Sequence, residues 1–379
     1  MLTLIVPGLT WPHQALVDLT SGLVDSQHHA LPAFTTLLGR GRLTRWPARS
    51  TQDWLAHQLG LPCPLPAAAL RGLALGSAMA DHHWLCLDPV HLRFESTRLI
   101  VDDPQNLVLN SAEAAQLAVS LAPTFAPFGE LQMLTPQAWQ LRLAPGSLPP
   151  PTSPLPDIIA RAALPLPSGA AWTAWRQAIN EAQMVLHTHP VNQAREAAGQ
   201  PTVNSLWPWG AGALPTDTHR PATPAPSPQP SPPNSGEREF HASVLDQPAP
   251  PNTSLWSSDL ITQGAAQLLN MKTAALPESG FKPARFEQPN TKANTAAIAI
   301  IDILEHPART GDAHPWREQL LRLESDWLAP IHAALRRGQL DHLRLIVPGE
   351  SVSFELNFHR RDAWKFWRKP AALTVLAST

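Results

Sequence analysis

A proline fixes φ and lacks a backbone N–H, so a dense run of prolines bars both helix and sheet interior. Two such runs limit what this chain can fold into. Residues 144–169 include PLPDIIA and LPLPSG and predict an ordered surface connection or a lid. PATPAPSPQPSPPNSGE, within the stretch 213–254, is low-complexity sequence that predicts an inserted linker without a fixed fold. A proline-binding partner is the alternative use of that run.

Outside these breaks the sequence reads as strands and helices. Leu2 to Val6 is an apolar run that meets Pro7 and Gly8, the pattern of a buried strand entering a loop. Leu343 to Val347 repeats it before Pro348 and Gly349, and Ala296 to Leu304 reads as another buried strand. Loops after such strand ends are where α/β proteins keep their sites. Helices are predicted over 31–41, Gln52 to Leu59, Ser258 to Leu269, and Pro315 to Leu335 with Arg336, Arg337 and Gly338 closing the last. SFELNFH predicts an edge strand, and Arg360, Arg361, Lys365 and Arg368 after it a solvated basic face, with anion binding as the alternative.

From His82 the pattern changes to β-β-α-β-β, with a turn around Glu95 to Thr97, Asn110 capping a helix, and two strands around Pro136. That order suggests a small α+β module. Asp88 and His91 are its candidate polar site residues, although an Asp before Pro is also a turn former. A helix from Ala174 to Leu186 should then end near His189, because Pro190 pushes its predecessor out of the α region. The polar turn HPVNQAR brings His189, Asn192 and Arg195 together before a short strand, Val203 to Trp209, and the turn WPWGAG. Arginine presents a planar fork that matches phosphate or carboxylate, and histidine and asparagine can add single bonds. These three therefore predict an anion site, against the plainer alternative of a turn satisfying its own backbone.

A formal charge of −2 marks neither a nucleic-acid binder nor a basic membrane binder. Cys63 and Cys86 cannot form a zinc site alone and do not resemble a redox pair, which fits a reducing compartment. MLTLIVPGLTWP lacks a positive leader and no stretch approaches a membrane span, so the protein is expected in the cytoplasm with no nucleic-acid or membrane partner.

The segments WLCLDPVHLR, NEAQMVLHTHPVNQAREAAG and VNSLWPWGAG resemble the RpfE-type regulatory protein family of Gram-negative bacteria. The HPVN run with its following R and G, PLPDIIA, LPSG and the Trp-Gly turn are similar to the archaeal-type, cofactor-independent phosphoglycerate mutases of the alkaline phosphatase superfamily. This resemblance implies an α/β fold: an alkaline phosphatase-like sheet flanked by helices, drawn from both ends of the chain, with an inserted α+β module. The implied division is 1–80 for the first part of the main domain, 81–170 for the module and 171–212 for a segment joining back. Residues 213–255 are the linker and 256–379 the rest of the main domain.

Active members hold two divalent metals with Asp and His and activate a serine. Hard cations demand carboxylate or imidazole, and a metal pair clamps an in-line displacement. Here Pro7 and Gly8 stand where an Asp-Gly is implied, and Gly349 and Glu350 where an Asp-His is implied. Leu304, Glu305, His306 and Pro307 follow the penultimate strand, Ser50 or Thr51 corresponds to the nucleophile, and Cys86 replaces an arginine of the module. A catalytically degenerate protein with a regulatory or ligand-sensing role is therefore expected, with no cofactor, a small phosphorylated or carboxylate ligand, and a regulatory protein partner. The alternatives are an active metal-dependent phosphoglycerate mutase or phosphatase, holding Mn, Mg or Zn on Glu305, His306 and Asp312, and an interaction scaffold using the Pro-rich insert.

Overall fold

The apolar runs from the two ends of the chain become neighbours in one sheet. The computed structural model describes residues 1–20, 24–25, 28–29, 31–77, 82–95, 98–160, 166–215, 253–283 and 296–378. The Pro-rich run and the turn at 96–97 lie outside the described residues.

In chain order the first elements are β1 (Leu2–Ile5), α1 (Pro32–Arg40), β2 (Arg42–Arg49), α2 (Thr51–Leu59) and α3 (Ala67–Ala74). A second unit holds β3 (Trp84–Val90), the hairpin β4 (Leu92–Glu95) and β5 (Arg98–Val101), α4 (Ser111–Phe125), β6 (Gly129–Met133) and β7 (Trp139–Leu143). It continues with α5 (Thr173–Thr188), α6 (Pro190–Ala197) and β8 (Ser205–Gly212). The chain then adds β9 (Thr253–Trp256), α7 (Leu260–Leu268), β10 (Lys272–Ala274), β11 (Ala296–Ile300) and α8 (Glu305–Thr310). It ends with α9 (Ala313–Arg322), α10 (Ala329–Arg337), β12 (His342–Val347) and β13 (Gly349–His359).

The main sheet has seven strands in the order β10-β9-β11-β1-β12-β13-β2. Its first five strands are parallel to one another, and β13 runs antiparallel to both of its neighbours, β12 and β2. Leu2 lies opposite Ala297 and Leu343, and Ile5 opposite Ile300 and Ile346. Alternate side chains leave opposite faces of a strand, so Leu4, Ala299 and Leu345 pack on one side with Trp316, Ile331 and Phe34. Ile5, Ile300 and Ile346 pack on the other with Trp54, Leu70 and Ile261. Burial on both faces is why these strands read as mostly apolar runs rather than alternating ones, with Thr3 and Arg344 the buried polar exceptions. Helices α3 and α7 approach closely over Gly264, where a Cβ would lie 1.8 Å from the Leu70 carbonyl oxygen.

The second sheet, β8-β3-β7-β6, is antiparallel. Leu85, Leu87 and Leu141 face α4 and α5 through Leu117, Phe125, Ile179 and Leu186. Trp84, Cys86, Trp207 and Trp209 face the main domain at α3. Residues 171–212, expected to lead back to the main domain, supply two helices and a strand to this unit.

Three expectations are corrected. β13 is not an edge strand, because Arg42–Arg49 pairs with it on the outside. A strand carrying Pro47 and three arginines suits an edge, where proline costs no ladder bond and charge discourages further pairing. HPVNQAR is a helix rather than a turn: Pro190 occupies the first helical position, which tolerates a missing N–H, and His189 Nδ1 accepts from the Val191 amide at 3.2 Å. The helix predicted from Pro315 to Leu335 is interrupted at Leu323–Leu328 by wider π turns. These turns bring Glu324 to the start of α1, where its carboxylate accepts from the Ala33 and Phe34 amides at 2.7 and 3.0 Å. Helix α1 has no capping side chain of its own, so Glu324 satisfies its orphan donors from across the core.

Candidate functional site

Strands β1 and β12 run parallel and end side by side, so Pro7, Gly8, Pro348 and Gly349 form one wall of a cleft of about 510 Å³. The junction of β2 and α2 forms the opposite wall, with Arg49, Ser50, Thr51 and Asp53. Asp157, Glu305, Arg309 and Glu350 are the other charged residues of the lining. Gly8 has φ of +84°, and a Cβ there would lie 2.4 Å from the Leu304 carbonyl oxygen. Its own carbonyl accepts from the Trp316 and Trp11 indoles at 2.8 and 3.3 Å. The floor is thus shaped by backbone held between tryptophans.

Ser50 is the N-cap of α2. Its Oγ accepts from the Asp53 amide at 3.1 Å, and the Asp53 carboxylate accepts from the Ser50 amide at 3.2 Å. Thr51 is the first helical residue. Asp53 also accepts from the Cys63 thiol at 3.0 Å, and burial together with that bond pushes the thiol up to about 11. The Arg49 guanidinium sits over the Trp54 and Trp46 rings at 5.2 and 5.8 Å, which holds a cation at the rim. On α8, Glu305 and Arg309 form an ion pair one turn apart. Burial raises the Glu305 carboxyl above its ordinary value; Arg309 opposes the shift, while Asp302, Asp157 and Asp259 add to it.

Glu305, His306 and Asp312 do not converge. Glu305 is held by Arg309, His306 Nδ1 lies 2.5 Å from Asp103 Oδ2, and Asp312 accepts from the Thr310 hydroxyl at 2.7 Å. Among the described residues no group of three or more His, Cys, Asp or Glu is placed to hold a metal ion. Glu305, His306 and Asp312 therefore do not make a common metal site, and Pro7 supplies no oxygen or nitrogen side chain at the strand end.

Asn192 and Arg195 lie on helix α6 and His189 is its N-cap, and all three point at partners within the chain. Asn192 is 4% exposed, donates to the Leu186 and Val203 carbonyls at 2.8 and 2.6 Å, and accepts from the Val203 amide at 3.0 Å. Arg195, 3% exposed, donates from Nε to Pro201 at 2.8 Å, from Nη1 to Glu113 at 3.0 Å and from Nη2 to the Leu107 carbonyl. His189 Nε2 lies 3.0 Å from the Ser120 hydroxyl, and burial lowers the ring's pKa. A buried guanidinium with each nitrogen so engaged is a strut between helix, loop and strand, and that corrects the expected anion site. Asp88 lies on the opposite side of the second sheet, bonded to Arg71, Trp209 and the Trp139 amide. His91 is half-buried, with Nδ1 2.7 Å from the Thr202 carbonyl.

Sequence reasoning missed Arg71, Asp53 and Arg309. Arg71 left a signal, a lone charge inside the apolar run AAALRGLAL, which burial tolerates only with a partner. Asp53 is three residues after Ser50, the spacing of a capping box.

Solved structures similar to this chain include the PH0037 protein from Pyrococcus horikoshii, at 13% identity and a TM-score of 0.52, covering 99% of this chain and 92% of that one. They also include the cofactor-independent phosphoglycerate mutase from Thermoplasma acidophilum DSM 1728, at 14% identity and a TM-score of 0.42, covering 94% and 89%. The first likeness is one of fold over nearly the whole chain, and the second superposes too loosely to add to it. No family model and no curated protein matches the sequence.

Proposed function

We propose that this chain is a catalytically degenerate phosphoglycerate mutase-like protein, akin to the RpfE-type regulatory proteins, that senses a small ligand in the strand-end cleft. The observation that carries the proposal is the chemistry of the strand ends. Pro7-Gly8 and Gly349-Glu350 stand at the strand ends where the resemblance implies aspartate and histidine, and the Ser50 hydroxyl accepts a helix-cap bond in the same cleft. A hydroxyl without a metal or a base is a weak nucleophile.

The cleft retains what binding requires. Arg49, Arg309 and the first turn of α2 offer positive character to a phosphate or carboxylate. Asp53, Asp157, Glu305 and Glu350 favour a ligand that also brings hydroxyl or amino donors. Both cysteines are free thiols, which supports a reducing, cytoplasmic setting. A regulatory protein partner would read the liganded state.

The test pairs turnover of 3-phosphoglycerate and a generic phosphate ester, with manganese, magnesium or zinc added, with thermal-shift titration of 3-phosphoglycerate. No turnover, with a shift that weakens in Arg309→Gln, supports the reading. Metal-dependent turnover abolished in Ser50→Ala or Thr51→Val would show an enzyme instead.

A further inference from the structure

Three large aromatic side chains stand in water on one short loop. Trp364, Phe366 and Trp367 are 63%, 81% and 68% exposed, in a molecule whose other tryptophans described in the core are packed away. The loop is not a loose end. Before it, Ala363 is buried, and its carbonyl accepts from Arg40 at 2.8 Å. Asp362 ties the turn by accepting from the His359 amide at 2.8 Å and pairing with Lys365 at 2.5 Å. After it, the Ala371 amide donates to the Thr35 carbonyl at 3.0 Å and Leu373 returns to the core. Phe366 and Trp367 meet edge to face at 5.3 Å, so the aromatic tip is held in shape before anything binds.

Cations surround this tip. Arg360, Arg361, Arg368 and Lys369 are exposed, and Asp362, the one acidic residue between His359 and Pro370, is buried in its pair with Lys365. The chain-wide charge of −2 averages over this local excess. Beside Trp364, the residues Asp341, His359, Arg360 and Arg361 line an open depression of about 480 Å³. Aromatic rings flanked by arginine and lysine suit the boundary of a bilayer, where rings enter the headgroup region and cations meet anionic lipid. Single-stranded nucleic acid also uses rings and cations, but along a groove that tracks a backbone. Here the three rings fall within four consecutive residues of one turn and are 63–81% exposed.

We propose that the segment from Arg360 to Lys369, a 3-10 turn over Arg360–Trp364 and the loop that follows it, docks the protein peripherally on a bilayer containing anionic phospholipid, with Trp364, Phe366 and Trp367 entering the headgroup layer. No helix among the described residues is long and apolar enough to cross a membrane, so this attachment is to the surface. The proposal is independent of what occupies the strand-end cleft.

The test is co-sedimentation of the full chain with phosphatidylcholine vesicles, with and without about one-third phosphatidylserine. The expected result is binding to the anionic vesicles that falls with added salt. It should weaken by about tenfold or more in a Trp364→Ser, Phe366→Ser, Trp367→Ser variant and, separately, in Arg368→Glu, Lys369→Glu. All five side chains are exposed or partly so, and an unchanged melting temperature serves as the control for folding. Absence of binding to anionic vesicles, or binding that both variants retain, overturns the proposal. So does self-association or oligonucleotide binding through the aromatic tip in a protein that ignores vesicles.

Discussion

Arg71 and Asp88 join the two halves of the molecule through a buried ion pair, with Nη1 donating to Oδ2 at 2.7 Å. Arg71 belongs to helix α3 of the main domain and Asp88 to the central region of the second sheet, and their side chains are 7% and 3% exposed. The Trp209 indole donates to the same carboxylate oxygen at 2.8 Å, and the Trp139 amide donates to the other at 2.9 Å. Removing one member leaves the other charge buried without its partner. Asp88→Ala is expected to lower unfolding stability by about 3–5 kcal/mol, read from the urea midpoint, while Arg71→Met with Asp88→Leu should recover part of the loss. A single variant as stable as the parent would show that the joint is dispensable.

Arg195 makes a prediction that separates strut from ligand site. Arg195→Ala should cost about 3 kcal/mol or more, because Glu113 and the Leu107 and Pro201 carbonyls lose their donor. The affinity of the strand-end cleft for 3-phosphoglycerate should be unchanged. Calorimetry of the variant, at a temperature where it is still folded, checks both halves of the statement.

His342 sets an acid-side slope. It stacks on His359 at 4.1 Å, and burial, followed by that neighbour's charge, lowers its pKa from 6.5 to about 4. Between those values the unfolded chain takes up a proton that the folded chain refuses, so stability falls as the pH drops from about 6.5 towards 4. His342→Phe keeps a ring in the stack but removes the titration. Its denaturation midpoint should change less than the parent's between pH 7 and pH 4.5.

The thiols report on the cleft wall. With its pKa at about 11, Cys63 is thiolate in only about one molecule in a thousand at pH 8. Reaction with an aromatic disulfide reagent should be slow, and Asp53→Asn should accelerate it by removing the carboxylate that disfavours the anion. Cys86 is fully buried and should react only after unfolding. Two thiols titrating rapidly in the native protein would contradict this arrangement.

The parallel core was legible because Leu2 to Val6, Ala296 to Ile300 and Leu343 to Val347 are buried on both faces and almost wholly apolar; Thr3 and Arg344 interrupt them, and Arg344 is buried with Glu355 and Gln58 as its partners. Asn110 was legible as a cap because Glu113 completes its box with bonds of 2.9 and 3.0 Å. Strand β2 was not, since its arginines and Pro47 suit an edge and break the alternation that marks strands. The cleft was half legible. Strand ends and Ser50 pointed to it, but the convergence of Asp157, Glu305 and Arg49 depends on three separate segments meeting. Asn192 and Arg195 misled for a chemical reason: the donors that recognise an anion are the same donors that satisfy buried carbonyls.

Strand β1 is made first and sits between β11 and β12, which begin at Ala296 and His342. During synthesis its edges therefore lack these partners until residues 296–347 have left the ribosome. The second sheet draws its strands only from residues 84–212 and can close much earlier. Sheet closure thus runs from the inside of the sequence outward, and a nascent chain stalled before Ala296 would present a folded middle with a β1 strand that lacks its partners, the kind of intermediate that holding chaperones capture.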